Sequence, residues 1–238
     1  MTSELPIALI GTGKMGRALA QLAPERGVRV TAQLGRSDAI TREALRGAKV
    51  AIEITSPESA AANVRACLAA GCAVVVGTTG WYDELPRVRA EVERAGGAML
   101  TASNFSLGVA IFSQLVAEAA RRFAAATGFD VHLVETHHAA KKDAPSGTAK
   151  ALAATAEEAS GRAVPVTSVR VGSVPGTHEL LFDAPFEQVR LVHEARDRRV
   201  FAEGALVAAR WLAGRGPGVY TMQDVLSTDS SHASRERP

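Results

Sequence analysis

The chain has 238 residues, of which 47% are hydrophobic and 22% charged, with a formal net charge of +2. That length can bury a substantial core as one large domain or two modest ones, and the composition is that of an ordinary globular protein. The near-neutral charge offers no concentrated basic face for nucleic acid, and no apolar run reaches the length of a membrane span.

Two cysteines, Cys67 and Cys72, are too few for a disulfide framework and lack CxxC spacing, so they are expected to be buried thiols in a reducing compartment. Glu4 and Pro6 interrupt the N-terminus where a signal peptide needs a continuous apolar region. The expectation is a cytoplasmic enzyme or binding protein.

Residues 5–10, LPIALI, predict a buried parallel strand running directly into Gly11-Thr12-Gly13-Lys14-Met15-Gly16, with a helix, RALAQLAPERG, behind it. In this G-x-G-x-x-G pattern Gly11 makes the tight turn, Gly13 leaves room for a pyrophosphate and Gly16 lets helix and strand pack closely. The second strand, VRVTAQL, ends at Leu34-Gly35-Arg36-Ser37. An NAD-selective fold usually carries an acid here for the ribose 2′-hydroxyl, whereas an Arg receives a 2′-phosphate. With Asp38 arriving late, Arg36 tilts the expectation towards NADPH, and Ser37 offers a second phosphate contact.

KVAIEIT predicts a third strand, and Ser56-Pro57-Glu58 opens a helix with a suitable N-cap and first turn. Strand AVVVG runs into Gly77-Thr78-Thr79-Gly80, and strand AML ends at Thr101-Ala102-Ser103-Asn104-Phe105-Ser106. Three successive strands thus end in small, hydroxylated loops at the carboxyl edge, where open parallel sheets bind ligands.

From Leu107 a long amphipathic helix, GVAIFSQLVAEAARRFAAA, is expected, then a strand, FDVHLVETHH. The strand delivers the densest group of reactive side chains in the chain, Glu135 to Ala149, ETHHAAKKDAPSGTA. Pro145 restrains the backbone, and Ser146 or Thr148 can cap the following Ala-rich helix, whose free N–H groups favour an anion. Lys141 and Lys142 add fixed charge, and His137 and His138 can titrate near neutrality. Adjacent histidines lack the i, i+4 spacing of a helical ligand pair, so no metal is expected. The stretch reads as a receptor for a carboxylate-bearing molecule with a proton donor alongside.

AVPVTSVRVG, THELLFD, EQVRLVHEA and RRVFAEG predict further strands, giving an α+β block with a mixed, mostly antiparallel sheet. Its open face makes homo-oligomer formation an expectation. GALVAARWLAG predicts a helix, RGPGVYTMQDVL a turn followed by a short helix or strand, and SSHASRERP a polar tail without structure.

The glycine loop, GTTG, ASNFSLGV, the E-x-H-H-x-x-K-x-D-A-P-S-G-T-A signature, PGTHELLF, FAEGAL and YTMQDVL together resemble the 4-hydroxy-tetrahydrodipicolinate reductase (dihydrodipicolinate reductase) family. The resemblance spans nearly the whole chain. It implies an α/β protein: a Rossmann-type dinucleotide-binding domain (1–105 with 200–238) and a substrate-binding and oligomerisation domain (106–199) that forms a homotetramer. It further implies NAD(P)H-dependent reduction of a small dicarboxylate in the diaminopimelate route to lysine. His137 matches the family's proton donor and Lys141 its catalytic lysine. His138, Ser146, Gly147 and Thr148 match substrate-carboxylate positions, with Thr79 near both substrate and nicotinamide. Cofactor positions carried over are Gly11, Thr12, Gly13, Lys14, Met15, Gly16, Arg36, Gly77, Thr78, Thr79, Ser103, Asn104 and Phe105. The chain departs from the family pattern in a first loop one residue shorter, in Gly35 before Arg36, in His132 and in Ser56. Another small-molecule dehydrogenase, or a silent NADPH-binding protein, would explain the glycine loop but not the two-histidine signature.

Overall fold

Residues 4–229 are described in the structure, a computed structural model; the polar tail 230–238 lies outside the described residues. The chain divides into two compact units, Met1–Leu107 with Arg199–Pro238, and Gly108–Arg198.

In the first unit β1 (Leu5–Ile10), α1 (Lys14–Leu22), β2 (Val28–Leu34), β3 (Val50–Glu53), α2 (Pro57–Ala69), β4 (Ala73–Val76), α3 (Leu85–Arg94) and β5 (Ala98–Thr101) follow one another. The strands are short and apolar because helices cover both faces of the sheet, and all four residues of β3 are buried. Ala8, Ile10, Val74, Val76 and Met99 pack with Val64, Val88 and Val92 of α2 and α3. Helix α1 starts at Lys14, inside the glycine loop and three residues earlier than the sequence suggested. It ends at Leu22, and Pro24–Arg26 forms a separate 3-10 turn closed by Gly27 in the left-handed region.

The second unit begins within α4 (Leu107–Ala125) and continues through β6 (Asp130–His137), α5 (Gly147–Ser160), β7 (Val166–Arg170), β8 (Thr177–Ala184) and β9 (Glu187–Glu194). Its sheet runs β7-β6-β8-β9, with β6 and β7 parallel and the other two pairs antiparallel. Strand β8 alternates, so His178, Leu180 and Phe182 point inward while Thr177, Glu179 and Leu181 are only half-buried. Leu133, Leu180 and Phe182 meet Phe112 and Val116 of α4 and Ala149, Leu152 and Ala156 of α5.

The chain then returns to the first unit with α6 (Arg199–Leu212), β10 (Gly218–Tyr220) and α7 (Met222–Asp229). All pairs in the first sheet are parallel, in the order β10-β5-β4-β3-β1-β2. The order reverses between β1 and β3, which puts the loops after those strands at the switch point.

Residues 198–204, RRVFAEG, correct the expectation of a strand: from Arg199 they open α6. Arg-Val-Phe looks strand-like by itself, but Ala202, Ala205, Leu206, Ala209 and Leu212 are buried at helical spacing, and that stripe decides. Gly204 lies directly against the Phe105 carbonyl, where a side chain has no room. Among the described residues no helix is long and apolar enough to cross a membrane.

Candidate active site

In the first unit β1 delivers Gly11 to the carboxyl edge of the sheet, where its N–H donates to Leu34 O at 2.8 Å. Gly11 has φ +117° and a Cβ on it would run into the Ile54 carbonyl, so the turn requires glycine. A Cβ on Gly16 would collide with the Gly11 carbonyl, which is the close helix–strand approach expected of that position. Gly13 differs: a Cβ there would meet nothing within 4 Å. It is also the N-cap of α1 and supplies no side-chain cap, so the first helical N–H groups at Lys14 and Met15 lie beside open space. Arg17 Nη1 donates to Thr12 O at 3.0 Å and holds the loop. Tight turn, close packing and open helix start together fit a dinucleotide pyrophosphate.

Arg36 and Ser37 are exposed after β2. Asp38 is closer to the strand end than its sequence position suggested: the turn folds back and its Oδ2 accepts from Gly35 N at 2.7 Å. The carboxylate stands 3.5 Å from where a Gly35 Cβ would be. The Asp38 carboxylate thus lies beside Gly35 in the turn after β2.

Gly77 N donates to Glu53 O at 2.8 Å, and a Cβ on Gly77 would sit 2.9 Å from the Phe105 ring. Thr78 is buried, and its hydroxyl accepts from Thr55 N at 2.7 Å, tying the ends of β3 and β4 together. Thr79 and Ser103 are exposed. Asn104 Oδ1 accepts from Ser106 N at 2.8 Å, and Phe105 is buried against Gly77. Thr78, Asn104 and Phe105 thus shape the loops, while Thr79 and Ser103 present side chains outward.

In the second unit His137 is the last residue of β6 and only 8% exposed. Two residues back on the same face, Glu135 is fully buried, and its carboxylate is hydrogen-bonded to His137 Nδ1. Glu135 Oε1 also accepts from Arg170 Nη2 at 2.7 Å and from Ser146 N at 3.3 Å. Arg170 ends β7, and the same Nη2 donates to Asp143 O at 2.6 Å. Lys141 Nζ bridges the Asp143 carboxylate at 2.8 and 3.0 Å, and Lys142 is exposed.

Of the two residues able to cap α5, Ser146 does so, its Oγ accepting from Ala149 N at 3.1 Å. Gly147 is exposed, and a Cβ on it would meet nothing within 4 Å, so space is open over the helix start. His138 and Thr148 are half-buried on either side of this loop. One face of His137 is bounded by Gly176, where a Cβ would stand 3.0 Å from Nε2.

Burial would raise the Glu135 carboxyl, but hydrogen bonds from Arg170 and His137 overcome it and hold the group at about 2. Burial lowers His137; Glu135 offsets part of this, and the charges of Lys141 and Arg170 lower it further. His178 on β8 stands edge-on to His137, with ring centroids 5.3 Å apart. Burial, then the charges of His137 and His193, push it down to about 4.

Sequence reasoning missed Arg170 and His178. The alternation of THELLFDA was the available signal for His178, since it puts this residue in register with two core positions. In the unfolded chain His178 takes up a proton near 6.5, whereas in the folded chain it stays neutral down to about 4. The unfolded state binds more protons between those values, so stability falls as pH drops from about 6.5 to about 4. The difference corresponds to roughly 3 kcal/mol. His178→Gln should flatten the fall in Tm between pH 7 and 5; an unchanged pH slope would contradict this.

Residues 5–105 match the family model described as dihydrodipicolinate reductase, N-terminus, and residues 108–226 match dihydrodipicolinate reductase, C-terminus. The chain belongs to the dihydrodipicolinate reductase family. A 4-hydroxy-tetrahydrodipicolinate reductase of Stenotrophomonas maltophilia (strain R551-3) is 40% identical over 94% of this chain and 99% of its own length. Another from Christiangramia forsetii is 34% identical over 93% of this chain and 97% of its own. The fold is shared with dipicolinate-bound dihydrodipicolinate reductase from Paenisporosarcina sp. TG-14, at TM-score 0.79, 23% identity, and coverage of 92% and 98% of the two chains. As a dihydrodipicolinate reductase family member, the chain is an oxidoreductase of lysine and diaminopimelate biosynthesis with a Rossmann-type nucleotide unit.

Proposed function

We propose that this chain reduces 4-hydroxy-tetrahydrodipicolinate to tetrahydrodipicolinate in the diaminopimelate pathway, using NADPH or NADH. The observation that carries this is His137, whose Nδ1 is taken by a buried carboxylate at the head of a loop ending in an open helix N-terminus.

Loss of the 4-hydroxyl as water leaves a cyclic conjugated imine, to which the reduced nicotinamide, when bound, would supply a hydride. The negative charge then left on conjugated carbon or nitrogen must be quenched by a proton. His137 delivers it from Nε2, because Nδ1 is committed to Glu135. Lys141 anchors and polarises the substrate, exchanging its pairing with Asp143 for a substrate carboxylate. Ser146 keeps a hydroxyl proton to donate after capping α5, and with Gly147, Thr148 and His138 it receives a carboxylate at the helix start. Thr79 serves both substrate and nicotinamide.

Gly11 to Gly16 cradle the pyrophosphate, with Gly77 to Thr79 and Ser103 to Phe105 completing the cofactor loops. Arg36 receives a 2′-phosphate and favours NADPH, while Asp38 beside Gly35 gives the ribose hydroxyls of NADH an acceptor. The working state is a cytoplasmic homotetramer assembled through the open sheet face. Val169, Val171 and Val192 are 38%, 51% and 54% exposed on the second unit and support this. Sedimentation as a monomer would remove the tetramer from the account.

Nicotinamide absorbance should fall when the product of dihydrodipicolinate synthase is added, faster with NADPH than with NADH at equal concentration. Oxidation only with aspartate semialdehyde, or with oxaloacetate plus ammonia, would overturn the substrate.

A further inference from the structure

We propose that Glu135, clamped by Arg170, is a positioning residue that keeps the ring proton of neutral His137 on Nδ1, so that Nε2 is always the atom that gives up and regains the transferred proton. This rests on the general-acid role of His137 proposed above.

The geometry leaves the carboxylate little freedom. One oxygen, Oε2, meets His137 Nδ1, while the other, Oε1, accepts from Arg170 Nη2 at 2.7 Å and Ser146 N at 3.3 Å. Glu135 is fully buried, and Arg170 is itself fixed through Asp143 O at 2.6 Å. A carboxylate so held accepts a hydrogen bond and does not donate one, so it selects the tautomer with hydrogen on Nδ1. Proton balance follows. The imidazolium has hydrogen on both nitrogens; the Nε2–H bond breaks as the proton joins the reduced substrate, and the ring is left neutral with hydrogen on Nδ1. Glu135 stays ionised throughout. Reprotonation then occurs at the bare Nε2, restoring the donor without a ring flip.

The clamp also links donor to anion site. Ser146 caps α5, and Asp143 pairs with Lys141, so Glu135 and Arg170 connect the proton donor, the catalytic lysine and the helix start in one hydrogen-bonded unit. The charged and titratable groups around His137 are Glu135 on its own strand, Arg170 on β7, His178 on β8 and Lys141 in the loop, with His193 of β9 behind His178 at 6.2 Å between rings. Of these, Glu135 alone stabilises the imidazolium, and Lys141 and Arg170 oppose it.

The test is the nitrogen NMR spectrum of His137 in the ligand-free protein together with the pH profile of kcat/KM, in wild type and two variants. In wild type the neutral ring should have hydrogen on Nδ1. Glu135→Gln keeps the size but removes the charge, so the limb where activity falls with rising pH should move down by about one pH unit or more. Its neutral tautomer should become mixed, and kcat should fall by about 10²-fold. Arg170→Met leaves the carboxylate and removes an opposing cation, so the limb should move the other way, to higher pH. Loss of folding cannot produce opposite shifts, and if one variant fails to fold the other still decides. An Nε2–H tautomer in wild type, or unmoved limbs in the soluble variants, would overturn the proposal. Absence of turnover by wild type would instead sink the functional assignment, and the spectrum would still be readable.

Discussion

Replacing His137 with Gln should lower kcat by about 10²- to 10⁴-fold, the range spanned by loss of a positioned general acid. The side chain sits at the end of β6, 8% exposed, and its Nδ1 is held by Glu135, so the ring is presented in one orientation. Glutamine retains polarity and much of the volume but has no titrating proton to give. The affinity for NADPH, measured by fluorescence titration, should stay within about twofold, because the nucleotide loops belong to the first unit. Turnover at the wild-type rate would remove His137 from its role. A parallel loss of cofactor affinity would point to a structural defect instead.

Gly16→Ala and Gly13→Ala should separate the two duties of the glycine loop. A Cβ at Gly16 meets the Gly11 carbonyl, a backbone atom that cannot swing aside, so α1 must move away from β1. The expected result is roughly 1–3 kcal/mol of lost stability, read as a lower Tm, with NADPH binding weakened at least ~10-fold. A Cβ at Gly13 meets nothing within 4 Å, so that variant should keep its Tm within a degree or two. It should still weaken NADPH binding by about 10-fold, because the methyl occupies space meant for phosphate oxygens. Equal affinity in both variants and wild type would deny the loop its cofactor role.

Much of this arrangement was legible in the chain because the determining signals are local. The strand before Gly11 is a continuous apolar run, and the loop glycines have one mechanical explanation each. The cap of α5 was narrowed to Ser146 or Thr148 by chemistry, and backbone geometry chose Ser146. What stayed hidden depends on contacts between distant segments. Arg170 lies 35 residues beyond Glu135 and reaches it only because β6 and β7 pair in parallel. Asp38 looked too late to matter until a turn folded it onto Gly35. The start of α6 read as a strand because three residues with strand character precede its helical stripe, and burial outweighs their propensity. Glu135 was visible as the first residue of the reactive stretch, but neither its bond to His137 nor its clamp by Arg170 was.

The most direct measurement uses NADPH deuterated at C4 with freshly made 4-hydroxy-tetrahydrodipicolinate, and follows product mass. The account predicts tetrahydrodipicolinate bearing one deuterium from the reactive face of the cofactor, formed in step with oxidised cofactor. It further predicts that His137→Gln suppresses this transfer. Cofactor oxidised without deuterium in the product, or unlabelled substrate recovered intact beside unreacted NADPH, would contradict it.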